Sequence, residues 1–120
     1  MIVMKKYLIQ ISFTADSFAS LVKKPENRLE SVIPMVNAMG GSFVGSWLSL
    51  GQYDSTAVIE MPNDISMEAF KMAVMAGGGL TRFDLTPLMS FEDGVQAMEL
   101  AQKIRYTPFS GNEDSSDKQV

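Results

Sequence analysis

The chain has 120 residues, of which 46% are hydrophobic and 20% are charged, and its formal net charge is −4. This size and balance indicate one folded domain with a core of its own, and the acidic charge argues against nucleic acid as a partner. The absence of cysteine and histidine excludes disulfides, metal sites that need thiolate or imidazole ligands, and nucleophiles of the Ser-His-Asp or Cys-His type.

The first predicted element is a strand over residues 5–14. Successive side chains of a strand point to opposite faces, so every second residue shares a face. One of these faces is apolar and consists of Tyr7, Ile9, Ile11 and Phe13. We therefore expect this face of the strand to belong to the core.

Apolar residues at helical spacing follow over residues 16–39, in two pieces. Pro25 suits the first turn of the second piece, because the N–H that proline lacks has no partner there. Pro34 lies inside that piece and predicts a kink or a break, because it removes a hydrogen bond and clashes with the preceding turn. Gly40-Gly41 predicts the end of the helix.

A second strand is predicted over residues 43–50, and a third begins at Asp54 or Ser55 and ends at Met61. Only Gly51-Gln52-Tyr53-Asp54 separates the two strands, which predicts an antiparallel hairpin. We expect the first residue of this turn to supply a backbone conformation with positive φ. We expect its aspartate to bond nearby amides.

The next helix is predicted over residues 66–76, with Asp64 or Ser66 as its N-cap. It is apolar nearly all round, so we expect it to be buried on more than one side. A fourth strand is predicted over residues 80–89. Ser90 then caps a last helix, whose first turn is acidic and suits the helix dipole.

The predicted order is β-α-β-β-α-β with a C-terminal helix, which is the order of the ferredoxin-like α+β fold. Right-handed crossovers place the helices on one face of a four-stranded antiparallel sheet. The other face stays uncovered, so we expect a second copy to cover it in a homodimer or a higher oligomer. We expect the domain to span residues 1–105 and a disordered, acidic and polar tail to span residues 106–120. The uncovered face is predicted to include Gln10, Ser12, Val58, Glu60, Arg82 and Thr86.

Six short motifs occur together in the predicted domain. They are Tyr7-Leu8-Ile9, Gly40-Gly41, Gly51-Gln52-Tyr53-Asp54, Ala57-Val58-Ile59, Pro62-Asn63-Asp64 and Thr86-Pro87-Leu88. In this pattern, from about residue 5 to about residue 105, the chain resembles the GYD-domain family, which is named after the Gly, Tyr and Asp of the third motif. The resemblance implies a dimeric α/β barrel, in which two ferredoxin-like sheets pack face to face. Pro34 and Gln52 depart from the family pattern.

A second similarity covers residues 51–88. This stretch resembles the amino-acid-sensing domain of the feast/famine regulators. The resemblance implies a βαββαβ domain that binds small effectors at subunit contacts. Since no helix-turn-helix precedes the domain in this sequence, the matching comparison is a stand-alone sensor.

The candidate functional residues are polar and aromatic side chains at the hairpin and on the strands. Tyr53, Asp54 and Arg82 are the candidates for catalysis, because a carboxylate can act as a base while Arg or Tyr holds an oxyanion. The candidates for ligand binding are these three together with Tyr7 and Trp47. Each has a structural alternative as a turn residue, an ion-pair partner, or part of the core or an interface.

Three functions remain open. The first is binding of a small, partly apolar molecule in a cleft between sheet and helices, with or without cofactor-independent catalysis; the 10 methionines suit an adaptable apolar pocket. The others are a non-catalytic sensor of amino-acid-like effectors and a structural oligomeric adaptor. The chain has no signal-peptide pattern and no apolar run that could span a membrane. We therefore expect a cytoplasmic protein without nucleic-acid or membrane partners, and without a metal or cofactor.

Overall fold

A computed structural model describes residues 3–110 of the chain. The chain forms two compact units, one ending at Leu88 and the next beginning at Met89. The first unit runs β1 (Lys5–Phe13), α1 (Ala15–Lys23), α2 (Leu29–Ala38), β2 (Ser42–Leu48), β3 (Ser55–Met61), α3 (Asp64–Ala76) and β4 (Leu80–Leu88). The second unit contains α4 (Phe91–Ala101). Within residues 3–110, no helix is both long and apolar enough to cross a membrane.

The four strands form one antiparallel sheet in the order β2-β3-β1-β4. β1 is central, and Tyr7 lies opposite Ile59 of β3 on one side and Pro87 of β4 on the other. The predicted ferredoxin-like α+β fold is therefore confirmed. Pro87 lies on an edge strand, where the N–H that proline lacks leaves no gap in the interior of the sheet.

The core lies on one face of the sheet, beneath α2 and α3. Its buried residues are Tyr7, Ile9, Val36, Ala57, Ile59, Met61, Met67, Phe70 and Phe83. Each large apolar side chain that leaves water in this way contributes roughly 1.5–3 kcal/mol. The alternation predicted for β1 is thus confirmed. The opposite face, here called the open face, carries Gln10, Ser12, Val58, Glu60, Arg82 and Thr86, as predicted from the alternation.

The predicted division of the first helical stretch into two pieces is confirmed, but the position of Pro25 and the break at Pro34 are wrong. Pro25 lies in the link between α1 and α2, because α2 begins only at Leu29. α2 also continues through Pro34, so the break does not occur there, and the kink that was the alternative stays a prediction. Val36 is fully buried two residues later and Val32 packs against the same core. This packing outweighs the hydrogen bond that the proline cannot donate.

The end of α2 follows the glycine prediction. Gly40 has φ +83°, and its N–H donates to the Asn37 carbonyl over 3.0 Å. The N–H of Gly41 donates to the Val36 carbonyl over 3.0 Å. These two bonds form a Schellman motif, which satisfies carbonyls that the helix end leaves without partners.

The hairpin between β2 and β3 is confirmed, although its turn forms differently from the prediction. Positive φ occurs in the described residues only at Gly40 and Gly78, so the positive φ expected at Gly51 is wrong. Asp54 shapes the turn instead. Its N–H donates to the Ile11 carbonyl and its own carbonyl accepts the Ser49 N–H, each over 2.9 Å.

α3 begins earlier than predicted and is buried on one side. Its N-cap is Asn63, whose Oδ1 accepts the Ser66 N–H over 2.9 Å, so the prediction of residue 64 or 66 as N-cap is wrong. Met67 and Phe70 are buried, whereas Ile65 is 82% exposed. The expected burial on more than one side is therefore wrong for this unit.

In the second unit the predicted N-cap is confirmed, whereas the predicted tail is not tested. The Ser90 hydroxyl accepts the Asp93 N–H over 3.0 Å, which is the N-cap predicted for α4. Residues 106–110 form neither helix nor strand, and residues 111–120 lie outside the described part of the chain. The domain limit at residue 105 and the disordered tail stay predictions.

Substitutions at two glycines test how closely the turn after α2 approaches β3. Gly41→Ala should lower the free energy of unfolding by about 1–3 kcal/mol, because its methyl group would lie 2.5 Å from the Glu60 carbonyl oxygen. Gly51→Ala is the matched control, since nothing lies within 4 Å of its added methyl group, and its effect should stay within about 0.5 kcal/mol. Urea denaturation measures both variants. Equal losses would contradict this account of the two positions.

Candidate functional site

A cleft of about 880 Å³ lies between the sheet and the helices of the first unit. Its floor is the core face of the sheet, including Ile9, Ala57 and Phe83, and its walls come from the helices above. Most of the lining side chains are apolar. We call it the apolar cleft, and its size is within the range of roughly 300–1,000 Å³ that is common for small-molecule sites.

α1 covers part of the apolar cleft without burying any of its own residues. Phe18, Leu21 and Val22 on this helix line the cleft. The Phe18 ring meets the Phe13 ring edge to face, with centroids 5.2 Å apart. The start of the helix is held by the Ser17 hydroxyl, which donates to the Gly79 carbonyl over 2.8 Å. α1 is thus tethered at its N-terminus, and its apolar side faces the cleft.

The charged side chains in the lining belong to the link between α1 and α2. They are Glu26 and Arg28, whose Oε2 and Nη1 atoms are 2.9 Å apart in an exposed ion pair. Asn27 between them accepts the Leu29 N–H through Oδ1 over 3.0 Å and so supports the start of α2. The polar groups at this end of the cleft therefore already have partners within the link.

On the open face, a second polar group forms around Asp84. The Tyr53 hydroxyl donates to its carboxylate over 2.5 Å, and Arg82 donates to both of its oxygens over 3.0 and 3.2 Å. The guanidinium carbon of Arg82 also lies 5.0 Å from the centroid of the Tyr53 ring. The structure thus brings two of the predicted site residues, Tyr53 and Arg82, together around Asp84.

The electrostatics of this group favour one protonation state. The hydrogen bond from Tyr53, followed by the bonds and charge of Arg82, lowers the pKa of Asp84, although desolvation opposes the shift. The same hydrogen bond is the largest cause that raises the pKa of Tyr53. Asp84 is therefore ionised and Tyr53 neutral at pH 7. A carboxylate held in this way is a weak general base, so the group suits recognition better than proton transfer.

Asp54 has a partner of its own, away from this group. Its Oδ2 accepts the Phe13 N–H over 2.9 Å and so ties the hairpin turn to the end of β1. A hydrogen bond to a charged acceptor of this kind contributes roughly 1.5–3 kcal/mol. The contact explains why an aspartate suits this position on structural grounds.

Tyr7 is a core residue whose hydroxyl reaches the start of α3. Its side chain is 1% exposed, and the hydroxyl donates to Oδ1 of Asp64 over 2.5 Å. Lys5 Nζ lies 2.9 Å from the same oxygen. Burial, followed by the bond and charge of Asp64, raises the pKa of Tyr7 to about 12. The tyrosine is therefore a neutral donor that links β1 to α3.

Trp47 contributes to both sides of the sheet. It lies opposite Thr56, which places its side chain on the open face, where it is 61% exposed. A Cβ added at Gly45 would come within 2.4 Å of the indole, so the six-membered ring of Trp47 packs against this glycine. Trp47 also borders the apolar cleft, and its strand forms one edge of the cleft floor.

Of the candidate site residues predicted from the sequence, only Trp47 borders the apolar cleft. The alternation of β1 had already placed Ile9 on the core face, and the same signal in β3 places Ala57 there, but alternation does not tell that this face forms the floor of a cleft. The helical part of the lining had no such signal, because it depends on how far α1 stands from the sheet. In the part of the chain that the structure describes, no group of three or more acidic side chains is placed to hold a metal ion.

One comparison with known proteins identifies a family. A family model described as the GYD domain matches residues 7–98, from β1 into α4. The matched stretch contains the hairpin turn and all residues that line the apolar cleft. No curated protein matches the chain.

The Tyr53–Asp84 bond can be tested by carboxyl NMR. Because the folded-state pKa of Asp84 lies below its ordinary value of 3.8, its ionised form stabilises the fold above that pH, and this stability is lost as pH falls through the lowered value. Tyr53→Phe removes the donor and should move the pKa of Asp84 back up. Tyr7→Phe is the control. It removes the hydrogen bond to Asp64 and should therefore raise the pKa of Asp64 while leaving that of Asp84 unchanged. An unchanged Asp84 titration in Tyr53→Phe would show that the bond does not control this pKa.

Proposed function

The chain belongs to the GYD domain family, and we propose that it binds a small, partly apolar molecule in the apolar cleft. The observation that carries the proposal is the cleft itself, about 880 Å³ of space beneath α1 with mostly apolar walls. A well-packed interior has few voids larger than a water molecule. A space of this size between helices and sheet is therefore a feature that a binding function explains.

The position of the polar residues supports binding rather than catalysis. Tyr7, Tyr53, Asp54 and Arg82 do not belong to the lining of the cleft, and each has protein partners elsewhere. The two charged residues at the cleft, Glu26 and Arg28, form an ion pair with each other. We therefore propose uptake of a ligand without a reaction, which includes the sensing of an effector.

We also propose that the protein is a homodimer through the open face. α1, α2 and α3 cover one face of the sheet, and the other face carries Leu8, Val58 and the largely exposed Trp47. A sheet face with apolar and paired polar groups is suited to burial against a second copy, and a two-fold arrangement is the commonest solution. The Arg82–Asp84 pair would then lie at or near the interface.

Filling the floor of the apolar cleft tests ligand uptake. N-phenyl-1-naphthylamine is a neutral dye whose emission rises in apolar surroundings, and it should bind to the wild-type protein. Ala57→Leu places a larger side chain on the floor and should weaken dye binding by at least about tenfold. The emission increase during titration measures both affinities, and circular dichroism checks that the variant is folded.

The matched control for this experiment is Ala73→Leu, the same change at an exposed position of α3 outside the cleft. It should leave dye affinity unchanged. Dye binding that is absent from the wild-type protein, or equal in both variants, would contradict uptake in this cleft.

The dimer is tested by sedimentation at micromolar concentration. The wild-type protein should sediment as a dimer, while Val58→Glu places a charge within the open face and should weaken the dimer by at least about a hundredfold. Because Trp47 is the single tryptophan of the chain, its emission should shift to the red in the variant. Ala69→Glu on the exposed side of α3 is the control and should remain a dimer. A monomeric wild-type protein would refute this assembly.

A further inference from the structure

The rings of the first unit gather around the apolar cleft. Every phenylalanine that precedes Met89 lines it. They are Phe13 on β1, Phe18 on α1, Phe43 on β2, Phe70 on α3 and Phe83 on β4. The Phe13 and Phe18 rings already meet at an interplanar angle of 76°. Rings that approach from five elements offer both edges and faces to a ligand, and aromatic partners gain from such contacts beyond their burial.

The floor beneath these rings is shallow along β2 and β3. Ser46 and Ala57 lie directly opposite each other on the core face. Ser55, two residues before Ala57 in β3, shares that face. The side chains of directly opposed residues in a sheet lie about 5 Å apart, so three small side chains form one flat area. Phe43 and Ile59 bound this area at one end. A flat floor with aromatic walls fits a planar molecule.

One polar group on this floor is available to a ligand. The Ser46 hydroxyl has no hydrogen-bond partner in residues 3–110, whereas the Ser55 hydroxyl donates to the Trp47 carbonyl over 3.2 Å. A serine hydroxyl can donate or accept a hydrogen bond. It therefore fits either a hydroxyl or a carbonyl group on the bound molecule.

The charges around the cleft exclude a strongly ionic ligand. Glu26 and Arg28 neutralise each other at the link between α1 and α2. The other lining residues are uncharged, and an unpaired charge inside an apolar cleft is costly. The ligand body that enters beneath α1 should therefore be neutral.

From these observations we infer that the ligand is a neutral, planar, ring-bearing molecule with a hydroxyl or carbonyl group, and that Ser46 binds this group. The inference rests on the proposed binding function and names the class of molecule that the apolar cleft takes. Phe18 on α1 forms the wall above the ligand and Ala57 lies beneath it. The aromatic walls then select a flat ring system over a flexible alkyl chain of equal size.

Equilibrium dialysis with three simple probes tests the inference on the full-length protein. 2-Naphthol and 1-decanol have equal numbers of carbon atoms and one hydroxyl each, but only the first is planar. Naphthalene is planar and lacks the hydroxyl. 2-Naphthol should bind about tenfold tighter than 1-decanol because of the ring contacts. It should also bind tighter than naphthalene, by about threefold to tenfold, because of the bond to Ser46.

Two variants separate the contributions of ring and hydroxyl. Ser46→Ala should remove the advantage of 2-naphthol over naphthalene, while Ser42→Ala, an exposed position on the same strand, should preserve it. Phe18→Leu should weaken the binding of 2-naphthol and leave the binding of 1-decanol nearly unchanged. This variant alters a half-exposed side chain and so spares the core.

The outcomes distinguish the ligand class from the binding function. If 1-decanol binds as tightly as 2-naphthol, the planar class is wrong while uptake in the cleft stands. If Ser46→Ala preserves the advantage of 2-naphthol over naphthalene, the role of Ser46 is wrong. If none of the three probes binds, the proposed function fails together with this inference.

Discussion

The rest of the first unit depends on β1, the central strand, which pairs with β3 on one side and β4 on the other. Its register places Tyr7 and Ile9 on the core face, and a slip of one residue would turn both toward the open face. Two contacts hold this register from outside the ladder. The Asp54 carboxylate binds the Phe13 amide at one end, and the Tyr7 hydroxyl binds Asp64 near the other. The two faces of the sheet, and both candidate sites, follow from this strand.

The two faces of the sheet differ in the groups that cover them. On the core face, α2 and α3 bury the sheet, while α1 stands over the apolar cleft and buries no residue of its own. On the open face, polar side chains pair within the sheet, and the carboxylate of Asp84 is shared by a tyrosine and an arginine. The apolar cleft and the polar group around Asp84 thus lie on opposite sides of one sheet. This separation is why binding and dimerisation are proposed for different surfaces.

The candidate residues illustrate how far sequence reasoning reaches. Tyr53 and Arg82 were each predicted as candidate site residues, and the structure places both around Asp84. Their distance from the apolar cleft could not be foreseen, because strand alternation tells which residues share a face without telling which face a ligand occupies. The break expected at Pro34 does not occur for a similar reason, since the burial of Val36 in the core outweighs a local backbone preference.

Local chemistry was enough for the order of elements, the faces of β1 and β3, the hairpin and the glycine stop after α2, because period, caps and turn residues act over a few positions. Family membership also followed from short motifs, of which the turn at residues 51–54 is the most distinctive. The tertiary structure alone decided that α1 stands over the cleft without burying its own residues, that five phenylalanines line one cleft, and that Ser46 lies on its floor. These features arise from contacts between residues far apart in the chain, whose packing no local pattern encodes.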